Sequence, residues 1–296
     1  MWHRIGRGAV AVVGTLVLVF AALPANANHF NPFDVQESGI PGSSPNLMTN
    51  LGQFNFNYTN TGIQTITDVG GVSFAGPGDT FVETGSATVS GWINNDVGHT
   101  THSPTQLNGL EPGGYKMYAT FTLTGEADFG GNPNEIHGIF DAGTPLTLWV
   151  DPLSNTTLDA AGNVTGGGAD DFAVALGTLI EGESFIRCAD ISATECTAAP
   201  GQALGDFKGL YLFNLTAAGS LIFVNPDPFY AELSFAGNTT TITGDVNCTV
   251  DNQPCTTVTT GAGNVFLIQV PQPASLLLLG GSLVALGILR RRFFRA

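Results

Sequence analysis

The chain has little charge, and basic residues are especially scarce. Charged residues make up 11% of its 296 positions, against about 25% in an ordinary globular domain. Residues 28–270 hold three of the nine basic residues and all 24 acidic ones, which gives this stretch a net charge of −21. Such a charge repels polyphosphates and offers no basic face to an anionic lipid surface. We therefore expect no nucleic-acid partner.

Motifs of common catalytic sites are also missing between the two ends. The chain has no GxSxG, no HExxH and no GxxxxGK[ST] sequence, and neither Lys116 nor Lys208 follows a phosphate-binding loop. Acidic residues are plentiful, but nothing in the sequence selects two of them for glycosidase chemistry. The sequence therefore predicts that the protein is not an enzyme. A secreted glycan hydrolase is the less favoured alternative.

The N-terminus has the pattern of a secretory signal peptide, predicted over residues 1–27. Arg4 and Arg7 precede an apolar run over 8–23, and Ala25 and Ala27 form a small-residue cleavage site before Asn28. An N-terminal membrane anchor is the alternative, but the run is about 16 residues and a span needs about 20. The mature chain is expected to start at Asn28.

The C-terminus has a motif, an apolar run and a basic cluster in that order. An apolar run over 274–289 lies between the motif and the cluster, and at about 1.5 Å per residue it measures about 24 Å, which is short for a stable membrane span. The cluster predicts a C-terminus in the cytoplasm and a transient anchor. The residues of the motif are Pro271, Gln272, Pro273 and Ala274, and those of the cluster are Arg290, Arg291 and Arg292.

This arrangement over 271–296 resembles the PEP-CTERM sorting signal of Gram-negative bacteria. In that family a Pro-Glu-Pro motif precedes a short transmembrane helix and an Arg cluster, and an exosortase cleaves near the motif. Gln272 stands where the family usually has Glu, so a neutral amide replaces a charge. The resemblance implies export, transient membrane anchoring and an exosortase as partner. A C-terminal anchor that is never cut is the alternative.

The body, residues 28–270, is predicted to be all-β. Apolar residues alternate with Thr and other polar residues, as at 117–124, and no segment has the length and period of an amphipathic helix. Short Thr-rich strands with polar turns predict a sandwich or jelly roll, of one domain or two. Residues 159–168 are expected to form a long hairpin loop. Strands are predicted at 52–58, 84–93, 117–124, 146–150, 171–179, 210–215, 220–224, 230–235, 241–250 and 265–270.

Four cysteines fit an exported protein. Cys188 and Cys196 have seven residues between them, and Cys248 and Cys255 have six. In an oxidising compartment this spacing favours two local disulfides, although four cysteines allow three pairings. Neither pair has the CxxC spacing of a redox or zinc site.

No cofactor is predicted, but two groups of residues are candidate metal ligands. His99 and His102 lie in a polar loop before a proline, where solvated histidines are the favoured interpretation. The acids around 170 also carry oxygen ligands that calcium prefers, without the spacing of an EF-hand. Weak calcium binding and an ordinary charged turn both remain open there. The oxygen-bearing residues are Asp151, Asn155, Asp159, Asn163, Asp170 and Asp171.

Five segments of the body, in order along the chain, resemble the flocculation-associated PEP-CTERM proteins. The resemblance implies a secreted envelope protein that works with exopolysaccharide to hold cells in flocs, and it supplies no catalytic residues. Cations that bridge carboxylates to acidic glycans would fit this role, and a carbohydrate-binding module is the alternative. Trp92, Tyr115 and Trp149 could stack on sugar rings, although core packing is the favoured interpretation. The segments are 30–35, 113–121, 148–152, 213–220 and 223–230.

Overall fold

The computed structural model describes most of the predicted body and neither terminus. No helix in the described part of the chain is long and apolar enough to cross a membrane. The predicted signal peptide, the sorting signal from Pro271 to Arg292, and Cys188 and Cys248 lie outside the described residues. Of Cys196 and Cys255 only the backbone is described. The described residues are 31–65, 79–109, 113–128, 135–187, 190–191, 195–197, 204–244 and 254–268.

Nearly all regular structure is β, which confirms the predicted all-β class. Apart from the strands, two short 3-10 helices are present, at Glu37–Gly39 and Gly219–Leu221. The described strands are β1 (Phe33–Gln36), β2 (Leu47–Thr65), β3 (Asp79–Asn94), β4 (Lys116–Asp128), β5 (Glu135–Phe140), β6 (Pro145–Asp151), β7 (Thr157–Leu158), β8 (Val164–Gly166), β9 (Phe172–Arg187), β10 (Asp190–Ile191), β11 (Glu195–Thr197), β12 (Gly205–Leu215), β13 (Phe223–Asn225), β14 (Glu232–Gly244) and β15 (Pro254–Ile268).

Thirteen of these strands form one antiparallel sheet that closes on itself. Two runs of strands are neighbours in order, β2–β3–β4 and β9–β12–β14–β15. Between β4 and β9, β5 and β6 lie end to end and pair with both. The sheet closes because β15 also pairs with β2, from Pro254 opposite Thr65 to Phe266 opposite Gln53. The predicted sandwich or jelly roll would have two facing sheets, and the described strands instead form this single closed one. Sequence alternation cannot separate the two, since both place every second side chain inside.

The long strands run much further than the sequence predicted. Residues 232–235 and 241–244 of two separately predicted strands belong to the single strand β14. Residues 220–224, predicted as one strand, instead include the end of a 3-10 helix and the start of β13. Glycines inside the strands, which resemble turn signals in the sequence, are the physical reason. They lie opposite aromatic rings inside the sheet, where a Cβ would overlap the ring. These pairs are Gly125 with Phe81, Gly182 with Phe140, Gly209 with Phe235, Gly237 with Phe207, Gly261 with Tyr58 and Gly263 with Phe56.

One end of the closed sheet is filled by an aromatic core. Trp92 is fully buried there, and the rings of Phe33, Phe54 and Phe223 approach it edge-on with centroid distances of 6.2, 5.7 and 6.3 Å. The strands β1 and β13 pair with each other across this end. The buried carboxylate of Glu37 lies beside this core. It is the carboxylate with the largest number of hydrogen-bond donors in the described part of the chain.

Candidate functional site

Three carboxylates on the outside of the closed sheet form the strongest candidate site. Asp151 ends β6, and Asp170 and Asp171 come directly before β9. Because β6 and β9 are antiparallel, with Val150 opposite Phe172, the end of one strand lies beside the start of the other. One oxygen of each carboxylate lies within 4.8 Å of the others. We call these three residues the Asp site.

Hydrogen bonds from the chain hold two of these carboxylates in place. Asp151 is fully buried, and its oxygens accept hydrogen bonds from the backbone N–H groups of Leu153 at 3.1 Å and Thr156 at 2.8 Å. Oδ2 of Asp171 accepts hydrogen bonds from the Tyr118 hydroxyl at 2.6 Å and the Thr156 hydroxyl at 2.7 Å. Burial, together with the Asp171 carboxylate, raises the pKa of Tyr118, so its hydroxyl keeps its proton and donates.

Two oxygens of the Asp site lack any donor. Oδ2 of Asp170 and Oδ1 of Asp171 are buried and have no hydrogen-bond partner among the described residues. Within the same part of the chain, no basic side chain forms an ion pair with the Asp site, and the nearby Lys116 amine donates instead to the Thr156 carbonyl at 3.2 Å. Adjacent negative charges of this kind are costly without a counter-charge. A hard divalent cation such as Ca²⁺ takes carboxylate oxygen ligands and supplies that charge.

The other acids and amides of the predicted calcium site divide into two groups. Asn155 joins the Asp site, because its Nδ2 donates to Oδ1 of Asp170 at 3.2 Å. Asp159 and Asn163 instead satisfy each other in an exposed turn, where Nδ2 of Asn163 lies 3.0 Å from Oδ2 of Asp159. Hydrogen bonds from Asn163 lower the pKa of Asp159. That turn connects β7 to β8, so a hairpin is present at the predicted place, but residues 164–166 form its second strand rather than part of the long loop predicted over 159–168.

The two candidate histidines are not part of the Asp site. His99 is exposed, and its backbone N–H donates to the Asp96 carbonyl at 3.2 Å. Nδ1 of His102 lies 2.7 Å from Oδ1 of Asn94. The group of possible metal ligands found in the described part of the chain contains neither histidine.

Of the three aromatic residues considered for sugar stacking, two are core residues. Trp92 and Tyr115 are fully buried, and Nε1 of Trp92 donates to the Tyr115 hydroxyl at 3.3 Å. Trp149 is only partly buried and stacks on Tyr118, with 17° between the ring planes. The Tyr118 hydroxyl in turn contacts Asp171, so an accessible aromatic ring lies close to the Asp site.

A second polar surface lies on the outside of the sheet, where β2, β3, β14 and β15 meet. It is a shallow groove of about 270 Å³. Amide side chains and one hydroxyl line it, and Asn55 lies directly opposite Asn264 across the β2–β15 pair. We call it the Asn groove. Its polar side chains are Asn55, Asn57, Ser90, Asn238 and Asn264.

Two residues of the Asp site region were not singled out from the sequence. Tyr118 could be placed on the polar face of the strand at 117–124, but its contact with Asp171 depends on the pairing of β4, β6 and β9. Thr156 provides two hydrogen bonds to the site and has no signal in its neighbours.

No protein-family model and no curated protein matches this chain.

Proposed function

We propose that this protein is an exported, non-catalytic protein of the cell surface or extracellular matrix that promotes flocculation together with exopolysaccharide. The signal-peptide pattern and the sorting-signal pattern support export, with the C-terminal helix as a membrane anchor until an exosortase cuts near Pro271–Pro273. The co-linear resemblance of the body to flocculation-associated proteins supports the matrix role. The scarcity of catalytic motifs fits the same interpretation.

The observation that carries the proposal in the structure is the Asp site. Ca²⁺ takes six to eight oxygen ligands, so three carboxylates leave coordination positions for another molecule. Carboxylates and hydroxyls of an acidic polysaccharide are suitable ligands. The partly buried ring of Trp149, which stacks on Tyr118, would offer a sugar ring an apolar contact near the site. A cation held here would therefore link the negatively charged protein to a negatively charged glycan.

The Asn groove favours a second candidate function, a carbohydrate-binding module. Amide groups both donate and accept hydrogen bonds, as sugar hydroxyls do. Binding of this kind would need no cation. It would leave glycan affinity unchanged when calcium is removed, which separates it from the first proposal.

The proposal is tested in the native host with a strain that lacks the gene. Restoring the full-length chain should restore flocculation, and a chelator should disperse the flocs. The intact mass of the recovered protein should correspond to a start near Asn28 and an end near Pro271–Pro273, and it should keep the C-terminal tail in a strain without the sorting protease. Flocs that form equally well without the gene would refute the matrix role.

A further inference from the structure

The inside of the closed sheet contains a cavity of about 110 Å³, which we call the central cavity. Its wall is aromatic and aliphatic over most of its area. The void has an identifiable cause, because Ala87 and Ala119 lie directly opposite each other in the β3–β4 pair. At that level two methyl groups stand where other inward positions carry large side chains. The rings that surround it include Phe56, Phe121, Phe207, Phe213 and Phe235.

One part of the wall of the central cavity is polar. Asn60 and Glu83 both line it, and Nδ2 of Asn60 donates to Oε2 of Glu83 at 2.7 Å. When Glu83 is ionised, this contact fixes the orientation of the amide, since the reverse orientation would place two acceptor oxygens together. Asn60 is 4% exposed, and its Oδ1 is buried without a hydrogen-bond partner among the described residues.

No described polar residue of the cavity wall donates to Oδ1 of Asn60, and this includes Ser184 and Thr259, which lies opposite Asn60 in the β2–β15 pair. The hydroxyls of Tyr58 and Thr239, which also line the cavity, lie 2.9 Å apart and satisfy each other. An unpartnered carbonyl oxygen in an apolar cavity is costly, and native proteins rarely leave one without a ligand or water. The empty acceptor of Asn60 therefore indicates a missing donor.

We propose that the central cavity binds a small apolar molecule, about the size of one aromatic ring, that donates a hydrogen bond to Oδ1 of Asn60. An apolar cavity of about 150 Å³ is known to bind benzene, so the volume here suits a ligand of that class. The ring-lined wall would contact the apolar part of the ligand. Oε2 of Glu83 already accepts the hydrogen bond from Nδ2 of Asn60. Desolvation of its carboxylate raises the pKa of Glu83 to about 7, although the residue as a whole is only partly buried.

Access to the cavity is provided at the same polar end. The lining residues Glu83, Ser184 and Ile186 are only partly buried, whereas Leu148, Phe213 and Leu233 towards the filled end are buried. A ligand would enter past Glu83 with its apolar part leading. This inference is independent of the Asp site, which lies outside the sheet.

The test uses the full-length protein and two probes of matched shape, phenol and toluene, of which only phenol carries a donor. Calorimetry should show that both bind and that phenol binds about fivefold more tightly, as expected for one added hydrogen bond. The variant Asn60→Leu should lose this preference and bind toluene at least as tightly as phenol, because the phenol hydroxyl would then be buried without an acceptor. Absence of binding by both probes to the unmodified protein would overturn the proposal, and so would a preference for phenol that survives Asn60→Leu.

Filling the void tests the location. Ala119→Leu and, as a second variant, Ala87→Leu should each abolish binding of both probes. The matched control is Ala236→Leu on the outward face of β14, which should leave both affinities unchanged. Thermal unfolding of each variant shows whether it is folded. Binding that persists in a folded Ala119→Leu or Ala87→Leu protein would place the ligand elsewhere and refute the proposal.

Discussion

The hydroxyl of Tyr118 donates a 2.6 Å hydrogen bond to Oδ2 of Asp171. With the Thr156 hydroxyl at 2.7 Å it occupies this oxygen and leaves the other one, Oδ1, without a partner. The Asp171 carboxylate is thus fixed by the sheet on one side and unsatisfied on the other. A cation ligand held by neighbouring side chains has this arrangement.

Removing a carboxylate from the Asp site should weaken calcium binding. We expect Asp171→Asn to lower the affinity for Ca²⁺ by about tenfold or more, because a charged ligand becomes a neutral one. Titration calorimetry with the full-length protein measures this. The matched control is Asp227→Asn at an exposed position outside the site, and an equal loss in that variant would show that only the overall charge matters.

Tyr118 should act on the cation through Asp171. The variant Tyr118→Phe keeps the ring that stacks on Trp149 and removes the donor. Loss of such a supporting hydrogen bond costs metal sites about tenfold in affinity. The calcium affinity of Tyr118→Phe, measured by titration, should therefore lie between those of the unmodified protein and of Asp171→Asn. Unchanged affinity would mean that the hydrogen bond does not position the carboxylate.

Glu83 should make stability depend on pH in a defined direction. Its pKa is raised from 4.5 to about 7 by burial, so between these values the folded state binds more protons than the unfolded state. The free energy of unfolding then falls by on the order of 2–3 kcal/mol as pH rises from about 4 to about 7, and it changes little at higher pH.

The variant Glu83→Gln should remove this dependence. It should unfold at a higher temperature than the unmodified protein at pH 8 and at a similar temperature at pH 4, because a neutral amide can still accept the hydrogen bond from Asn60. Scanning calorimetry at the two pH values measures the difference. A lower stability of Glu83→Gln at pH 8 would contradict the raised pKa.

Glu37 should be a major contributor to stability. This fully buried carboxylate accepts hydrogen bonds from Asn46, Thr105, Gln106 and Tyr115. The variant Glu37→Ala leaves these buried donors without an acceptor and should lower the free energy of unfolding by about 3–5 kcal/mol. Tyr115→Phe removes one donor to Glu37 and leaves the buried Nε1 of Trp92 without its acceptor, so it should cost about 2 kcal/mol. Denaturant unfolding compares the two, and equal costs would refute this role of Glu37.

The pairing of glycines with aromatic rings predicts a difference between two glycines in strands. A Cβ at Gly261 would overlap both the ring of Tyr58 and the backbone carbonyl oxygen of Asn238, so Gly261→Ala should cost about 1–3 kcal/mol. A Cβ at Gly91 meets only the Thr101 methyl group at 3.5 Å, so Gly91→Ala should be neutral or slightly stabilising. Thermal unfolding measures both. A tolerated Gly261→Ala would show that the ring does not require this space.

The sequence indicates the local structure well and the long-range structure poorly. Alternation correctly places Ala119 and Leu123 on the inner face of the closed sheet and Tyr118 on the opposite face, because that pattern depends only on neighbouring residues. Closure of the sheet depends on which strands pair, and β15 is separated from its partner β2 by most of the chain. The glycines in the strands look like turns until the rings opposite them are known.

The candidate sites show the same limit. Asp170 and Asp171 are adjacent in sequence and could be proposed as ligands together with Asp151, whereas the contact with Tyr118 needs the β4–β6–β9 register. The Asn60–Glu83 pair could not be predicted, because 23 positions separate the two residues and neither belongs to a motif.

We propose that calcium at the Asp site links this protein to exopolysaccharide. The most direct test measures binding of the host's purified exopolysaccharide to the full-length protein with Ca²⁺ and with a chelator, for the unmodified chain and for Asp171→Asn. We expect binding that requires Ca²⁺ and is strongly reduced in Asp171→Asn but not in Asp227→Asn. Equal binding by all three proteins in the presence of the chelator would contradict it.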